Sequence, residues 1–514
     1  MKHLRRSLKW AVIVLMGLIA LVAVRVAQVW WNDPTNPFPE RKAGVQDAGG
    51  FSRGSPGQVI EVEKDVAAAE KQLSELVLKC VAEGKKIAIA GAKHSMGGHT
   101  MTDGGVVVDM LKLRGLRLNE AKDELTVAAG TRWFDVIEFL RPHGLAVAVM
   151  QSNSDFSIGG SLSVNCHGWQ HNSAPISSTV KSLRVVTADG AAQVCSRTQN
   201  PDLFRLVLGG YGLFGIITEA TLSVVKDEVY VPYSRSVLPA DYDRVFHEMT
   251  GGAEAGKDVG MAYGRINVAP MSFLESGTIT VLKRASADVA AGAQPSAFMQ
   301  RMKRLVFRCC VGSDIGKQFR WLAETSVGET AGGFLPGKTP AVWRNDIMLE
   351  PADLFGNRDP KRAEILHEYF IPAEKLSAFV EEIRSVLRKH DVDLMNITVR
   401  NVLPDDVTFL SYTRDSRTDA STEVFGLVML FHLLPDEASD AVMRVFTFEM
   451  INAALACNGT FYLPYRLHAS APQLHSAYRQ AAEFFRLKRR HDPKEIFTNR
   501  FYETYGRTPD PRER

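Results

Sequence analysis

Ten consecutive residues constrain this chain more than any others: Gly91-Ala92-Lys93-His94-Ser95-Met96-Gly97-Gly98-His99-Thr100. They follow a short apolar run, Ile87–Ala90, that reads as a strand. Three glycines, a serine and a threonine let the backbone turn tightly and aim its N–H groups at an anion. Two histidines sit in the same turn. A donor-rich loop with a nucleophilic ring suits a phosphate-bearing cofactor that can also be fixed covalently.

The rest of the chain narrows the options. At 514 residues it should split into two or three domains. A net charge of +3, with no basic block interleaved with aromatics, argues against nucleic acid as a partner. Six cysteines are scattered without a Cys-x-x-Cys pair, so neither a disulfide framework nor a zinc ribbon is indicated.

The N-terminus reads as a membrane anchor. Lys2, Arg5, Arg6 and Lys9 precede an apolar stretch from Trp10 to Trp31 broken by Arg25. A spanning helix needs about 20 residues. Trp10, Trp30 and Trp31 stand where interfacial aromatics belong, and Arg25 is near enough to the far end to snorkel. The basic flank predicts a cytoplasmic N-terminus, an inner-membrane location and a body facing the periplasm or exterior. The rival is a cleaved signal peptide; with no clear Ala-x-Ala site, an uncleaved single-pass anchor is favoured. Arg5-Arg6 is a weak twin-arginine hint. Residues 33–56, rich in Pro and Gly, read as a linker.

Helical periodicity over 64–84 ends at Gly84. Strands are expected at 86–90, 106–109, 124–129, 183–187 and 216–225, with a helix over 131–141. Residues 230–445 show longer strands and one clear helix, 373–389, followed by a helix over about 435–456. The fold class is therefore α+β, built on a cofactor domain and an antiparallel-sheet domain. Gly210–Gly215 matches Gly-x-Gly-x-x-Gly, but a helix precedes it and a strand follows. The dinucleotide fingerprint needs the reverse order, so these glycines form a turn.

Two more loops complete the pattern: Asn153–Gly168, with Gly159-Gly160 and His167, and Gly209–Gly215. Together the three loops resemble the FAD-binding domain of the vanillyl-alcohol oxidase and p-cresol methylhydroxylase family. Gly91-x-x-His94-Ser95-x-x-Gly98 is similar to the family's first flavin loop. The segment from Phe485 through Arg489, Asp492-Pro493 and Phe497 to Asn499 resembles its closing segment. Within the family, the sugar, polyol and aldonolactone oxidases look nearest.

The resemblance implies a two-subdomain FAD-binding domain of the p-cresol methylhydroxylase type over 57–226. It implies a substrate or cap domain over 227–456, and a segment over 457–514 that returns to the FAD domain. It implies FAD bound by Gly91, Ala92, Lys93, His94, Ser95, Met96, Gly97, Ser154, Asp155, Gly159, Gly160, Ser163, His167, Gly168, Gly215, Ile217 and Asn499. His94 stands where the family often links FAD covalently; the other reading is a hydrogen-bonding residue over non-covalent FAD. His99 is expected to be scaffold. The doubly linked branch uses a cysteine where Asn153 stands, so a second link is not expected. Cys166 is expected to pack beside the flavin.

On the substrate side the resemblance implies roles for Arg400, Tyr462, Tyr465 and Arg466. Sugar-oxidising relatives place a lysine at the position of Tyr465, and Arg466 would supply that charge if it turned inward. Alditol-type relatives carry a glutamate where Thr398 stands, so their acid–base scheme does not transfer. The expected activity is oxidation of a CH–OH group of a sugar-like, polyol or lactone alcohol. A phenolic or other secondary alcohol is the alternative. Oxygen, a quinone or a cytochrome would accept the electrons. Two readings of other classes stay open: a metal site among His94, His99, Cys166, His167 and His171, and a non-catalytic membrane-tethered binding protein.

Overall fold

The computed structural model describes residues 2–34, 42–251, 258–286, 289, 291–292, 296–328 and 341–507. Three sheets carry the fold. Strands β1 (Gln58–Glu61), β2 (Ile87–Ala90) and β3 (Val106–Asp109) form a parallel sheet in the order β1-β3-β2. Helix Val66–Glu83 connects β1 to β2. The Asp65 side chain accepts from Ala68 N at its start, and Gly84, with φ of 67°, ends it. Ala69, Leu73, Val77 and Cys80 recur at helical spacing and are buried, which fixes the face turned to the core.

The second sheet is antiparallel. It holds β4 (Leu116–Leu118), β5 (Glu124–Ala128), β6 (Leu145–Val147), β7 (Val180–Val186), β8 (Ala192–Ser196) and β9 (Ile216–Lys226). The order is β4-β5-β9-β7-β8, with β6 also on β9. Helix Pro201–Val207 precedes the glycine turn and β9 follows it, so the helix–turn–strand order expected for 202–225 is what forms.

The third sheet is antiparallel with eight strands: β10 (Val229–Val237), β11 (Val259–Ile266), β12 (Gly277–Arg284), β13 (Val342–Trp343), β14 (Ala363–Pro372), β15 (Asp393–Val402), β16 (Val424–Leu433) and β17 (Thr460–Phe461). The order is β13-β10-β12-β11-β15-β16-β14-β17. Helix Leu376–Lys389 contacts both Tyr242–Gly251 and Glu437–Ala456, and all three pack on this sheet.

Three expectations change. Residues 230–445 hold more helix than the one expected, including Tyr242–Gly251, Ala297–Arg308 and Asp314–Gly328. In Ala297–Arg308 the buried positions include Arg304 and Arg308, paired to Asp33 and Glu364, so charges interrupt the apolar stripe. Of the expected linker, 35–41 lies outside the described residues. Residues 42–56 pack: Ala43 joins Ala88, Ala90 and Val107 in a buried cluster, and Ala48 N donates to Ser95 O at 2.9 Å.

The third change is at the N-terminus. Lys2–Asn32 is one helix, but among the described residues no helix is long and apolar enough to cross a membrane. Its last two turns are docked on the body. Val29 is buried against Leu305 and Cys309, and Trp30 lies under Arg301 at 3.7 Å. Arg25 does not snorkel: it donates to the carbonyls of Cys309 (3.0 Å) and Val311. The undocked apolar part, Trp10–Val24, is about 22 Å long at 1.5 Å per residue, short of a hydrocarbon core of about 30 Å.

Candidate active site

The three glycine loops converge on one cavity between the first two sheets and the third. Close approaches at several of its glycines leave little or no room for a side chain. A Cβ on Gly91 would stand 2.2 Å from Ser157 Oγ, the atom that accepts from Ala92 N at 3.1 Å. The first loop is thereby locked to the second. A Cβ on Gly159 would stand 3.0 Å from Ala129 Cβ, and one on Gly215 (φ of 149°) 2.5 Å from Val185 Cγ1. Bare backbone along these walls can present N–H groups to a pyrophosphate.

Most of the expected cofactor residues line this cavity: Gly91 through Ser95, then Gly159, Gly160, Ser163 and His167, then Gly215 and Ile217. Lys93 is committed to Asp109 at 3.1 Å. Five others stand behind the walls. Gly97 packs where a Cβ would meet Tyr465 O at 2.4 Å, and Gly168 where it would meet Met150 O at 1.9 Å. Ser154 Oγ donates to Leu349 O at 2.9 Å, while Asn499 Nδ2 donates to Tyr211 O at 2.9 Å. Asp155 lies behind His94. Met96 lines the adjoining outer cleft.

His94 sits where the inner cavity meets that cleft. Its ring stacks on Phe156 with centroids 3.9 Å apart, and its Nε2 is 3.3 Å from Asp155 Oδ2. Burial raises the Asp155 pKa, but the bond and charge of His94 and the amide of Ala352 outweigh it and hold the net value low. The carboxylate therefore engages Nε2, which leaves Nδ1 on the side of the ring away from that contact. His99, expected to be scaffold, also lines the cavity, buried between Tyr211 and Phe501 with its pKa pushed down to about 4 by burial. Cys166 lines the cavity as a buried thiol, pushed up to about 12 by burial.

The substrate-side residues separate. Arg400 on β15 donates to Ser152 Oγ at 2.8 Å and to His167 O at 3.5 Å, while its buried Nε has no partner. Tyr462 OH donates to Val164 O (2.8 Å) and Tyr465 OH to Glu368 Oε2 (3.3 Å); burial raises both phenol pKa values, so both remain donors. All three line the cavity. Arg466 does not. It turns to Asp440 (2.8 Å), Ser52 Oγ (2.9 Å) and the Phe51 ring, so the charge expected from it does not reach the cavity.

Sequence reasoning missed Glu368 and the outer cleft. That cleft, of about 700 Å³, is lined by the stacked pair Trp169 and Tyr263 (4.6 Å) and by Arg265, Asn396 and Thr398. The signal available was alternation on β15, which puts Asn396, Thr398 and Arg400 on one face. Among the described residues no group of three His, Cys, Asp or Glu side chains could hold a metal ion, which leaves the metal alternative without a site there.

Residues 66–196 match the family model described as an FAD binding domain. The chain is 31% identical to cytokinin dehydrogenase 2 of Arabidopsis thaliana over 243 residues, 46% of each chain. It is 35% identical to cytokinin dehydrogenase 4 of the same plant over 164 residues, 30% of this chain and 31% of that one. It is 23% identical to decaprenylphosphoryl-beta-D-ribose oxidase of Mycolicibacterium smegmatis over 439 residues, 82% of this chain and 90% of that one. The chain thus spans less than half the length of these cytokinin dehydrogenases. The matched region is thus an FAD-binding domain, and the relatives it is similar to are oxidases and dehydrogenases. FAD is its cofactor.

Proposed function

We propose that the chain is an oxidoreductase that uses FAD to oxidise a CH–OH group, with a sugar-like, polyol or lactone alcohol as substrate. The observation that carries this reading is the junction of the glycine-walled cavity with a polar cleft at His94, Ser152 and Arg400, with Glu368 on the inner side. Bound FAD supplies the acceptor for the hydride of the C–H bond. Arg400, anchored by Ser152 and the His167 carbonyl, keeps its Nε for a substrate oxygen. Arg265, Asn396 and Thr398 form a hydrogen-bonded row that suits a hydroxylated ligand. The long match to a ribose oxidase supports this substrate class. The stacked Trp169 and Tyr263 favour a second reading, an aryl alcohol.

His94 carries FAD covalently in this reading, with Asp155 positioning its ring. The exposed apolar face of the N-terminal helix, including Val12, Ile13, Met16 and Leu21, attaches the chain to the inner membrane. The body lies on the extracytoplasmic side, and a membrane quinone takes the electrons. Carbonate-resistant sedimentation with membranes, lost on deletion of residues 1–24, is the expected result for attachment.

An anaerobic screen tests the activity. Sorbitol, L-gulonolactone and vanillyl alcohol are mixed with the holoprotein and the oxidised flavin band is followed. Bleaching by the first two supports the main reading and bleaching by the third alone supports the second. A flavin that dithionite reduces but no alcohol bleaches rejects both.

A further inference from the structure

Thr398 pairs with Val428 across β15 and β16, and Val428 pairs with Glu368 across β16 and β14. The three form one cross-strand row, and all three face the cavities. Glu368 is the one carboxylate lining the inner cavity among the described residues. Other wall carboxylates stand in the outer cleft, and several are matched there: Glu324 by Arg320, Glu364 by Arg308 and Asp47 by Arg466.

Glu368 and His167 are 3% and 4% exposed, deep enough that an unmatched polar atom is costly. His167 Nε2 lies 2.7 Å from Glu368 Oε1, close enough to fix that oxygen, and neither atom has another hydrogen-bond partner. His167 Nδ1 has no hydrogen-bond partner either. Tyr465 OH donates to Oε2 at 3.3 Å. An ionised carboxylate offers about four acceptor positions, so this one can accept a donor entering the cavity. The sheet leaves room for it: a Cβ on Gly426 would stand 3.2 Å from Oε1 and 3.0 Å from the Phe370 ring.

We propose that Glu368 is the base that takes the substrate's hydroxyl proton, with His167 and Tyr465 as positioning residues for its carboxylate. The O–H bond breaks and its proton passes to Glu368. The C–H hydrogen leaves with its electron pair to FAD, and the carbon–oxygen double bond forms. The assignment rests on the alcohol-oxidising reading above.

Anaerobic stopped-flow on the holoprotein tests it, with the same three alcohols and the variants Glu368→Gln, Glu368→Asp and Gly426→Ala. Glu368→Gln should slow bleaching by about 100-fold or more and abolish the fall in rate toward acid pH. Glu368→Asp should recover part of the rate. Gly426→Ala, which crowds the carboxylate without removing it, should fall between. A second readout needs no turnover: calorimetry on the dithionite-reduced holoprotein, comparing each alcohol with its deoxy counterpart. The wild type should prefer the alcohol by about tenfold, and Glu368→Gln should lose that preference. Bleaching by Glu368→Gln within about threefold of wild type, with an unchanged pH profile and an intact preference, overturns the assignment alone. No bleaching of the wild type by any of the three alcohols overturns the oxidation reading, and the assignment falls with it.

Discussion

At the scale of single residues, the site separates groups that touch the cavity from groups that shape it. His94 touches it, and Asp155 and Phe156 hold its ring. On the proposed covalent attachment, His94→Ala should abolish flavin fluorescence in the denatured band on a gel, and Asp155→Asn should leave a larger share of the flavin extractable by acid. Gly215→Ala places a Cβ 2.5 Å from Val185 Cγ1 and should cost about 1–3 kcal/mol by chemical denaturation. These local features were legible, because glycine spacing and a histidine within one turn need no tertiary context. Glu368 was not legible. Its importance comes from Thr398, Val428 and His167, which only the sheet register brings beside it. The direction of Arg466 was open for the same reason: Asp440, on helix Glu437–Ala456, decides which way it points.

At the scale of elements, apolar periodicity located the five strands expected before residue 226 and the helix over 66–83, with shifts of a few residues at their ends. It failed where buried positions carry charge. Arg304 and Arg308 interrupt the stripe of helix Ala297–Arg308, and their ion pairs to Asp33 and Glu364 form only in the folded chain. The N-terminal helix shows the converse. Its apolar sequence predicted a free span, yet Arg25 binds two carbonyls of the segment after Ala297–Arg308. Arg25→Ala should loosen that docking by about 1–3 kcal/mol, seen as faster amide exchange over Val26–Asn32. Unchanged exchange there would show that Val29 and Trp30 suffice.

At the scale of the whole molecule, the folded state depends on several buried histidines staying neutral. Burial lowers His99 and His171 to about 4, and burial with the charges of His468 and Arg466 lowers His367 to about 3. Each has its folded pKa below an unfolded value of about 6.5. The unfolded chain therefore binds more protons in that window, and stability falls as pH drops from about 6.5 toward 3. The thermal midpoint should decline steadily from pH 7 to pH 4, and His99→Gln should flatten part of that decline. The measurement closest to the central claim is anaerobic reduction of the bound flavin by an alcohol and by the same alcohol carrying deuterium on the reacting carbon. The account predicts bleaching that slows severalfold with deuterium, because the C–H bond breaks as the flavin is reduced. A flavin that dithionite reduces but no alcohol bleaches would contradict it.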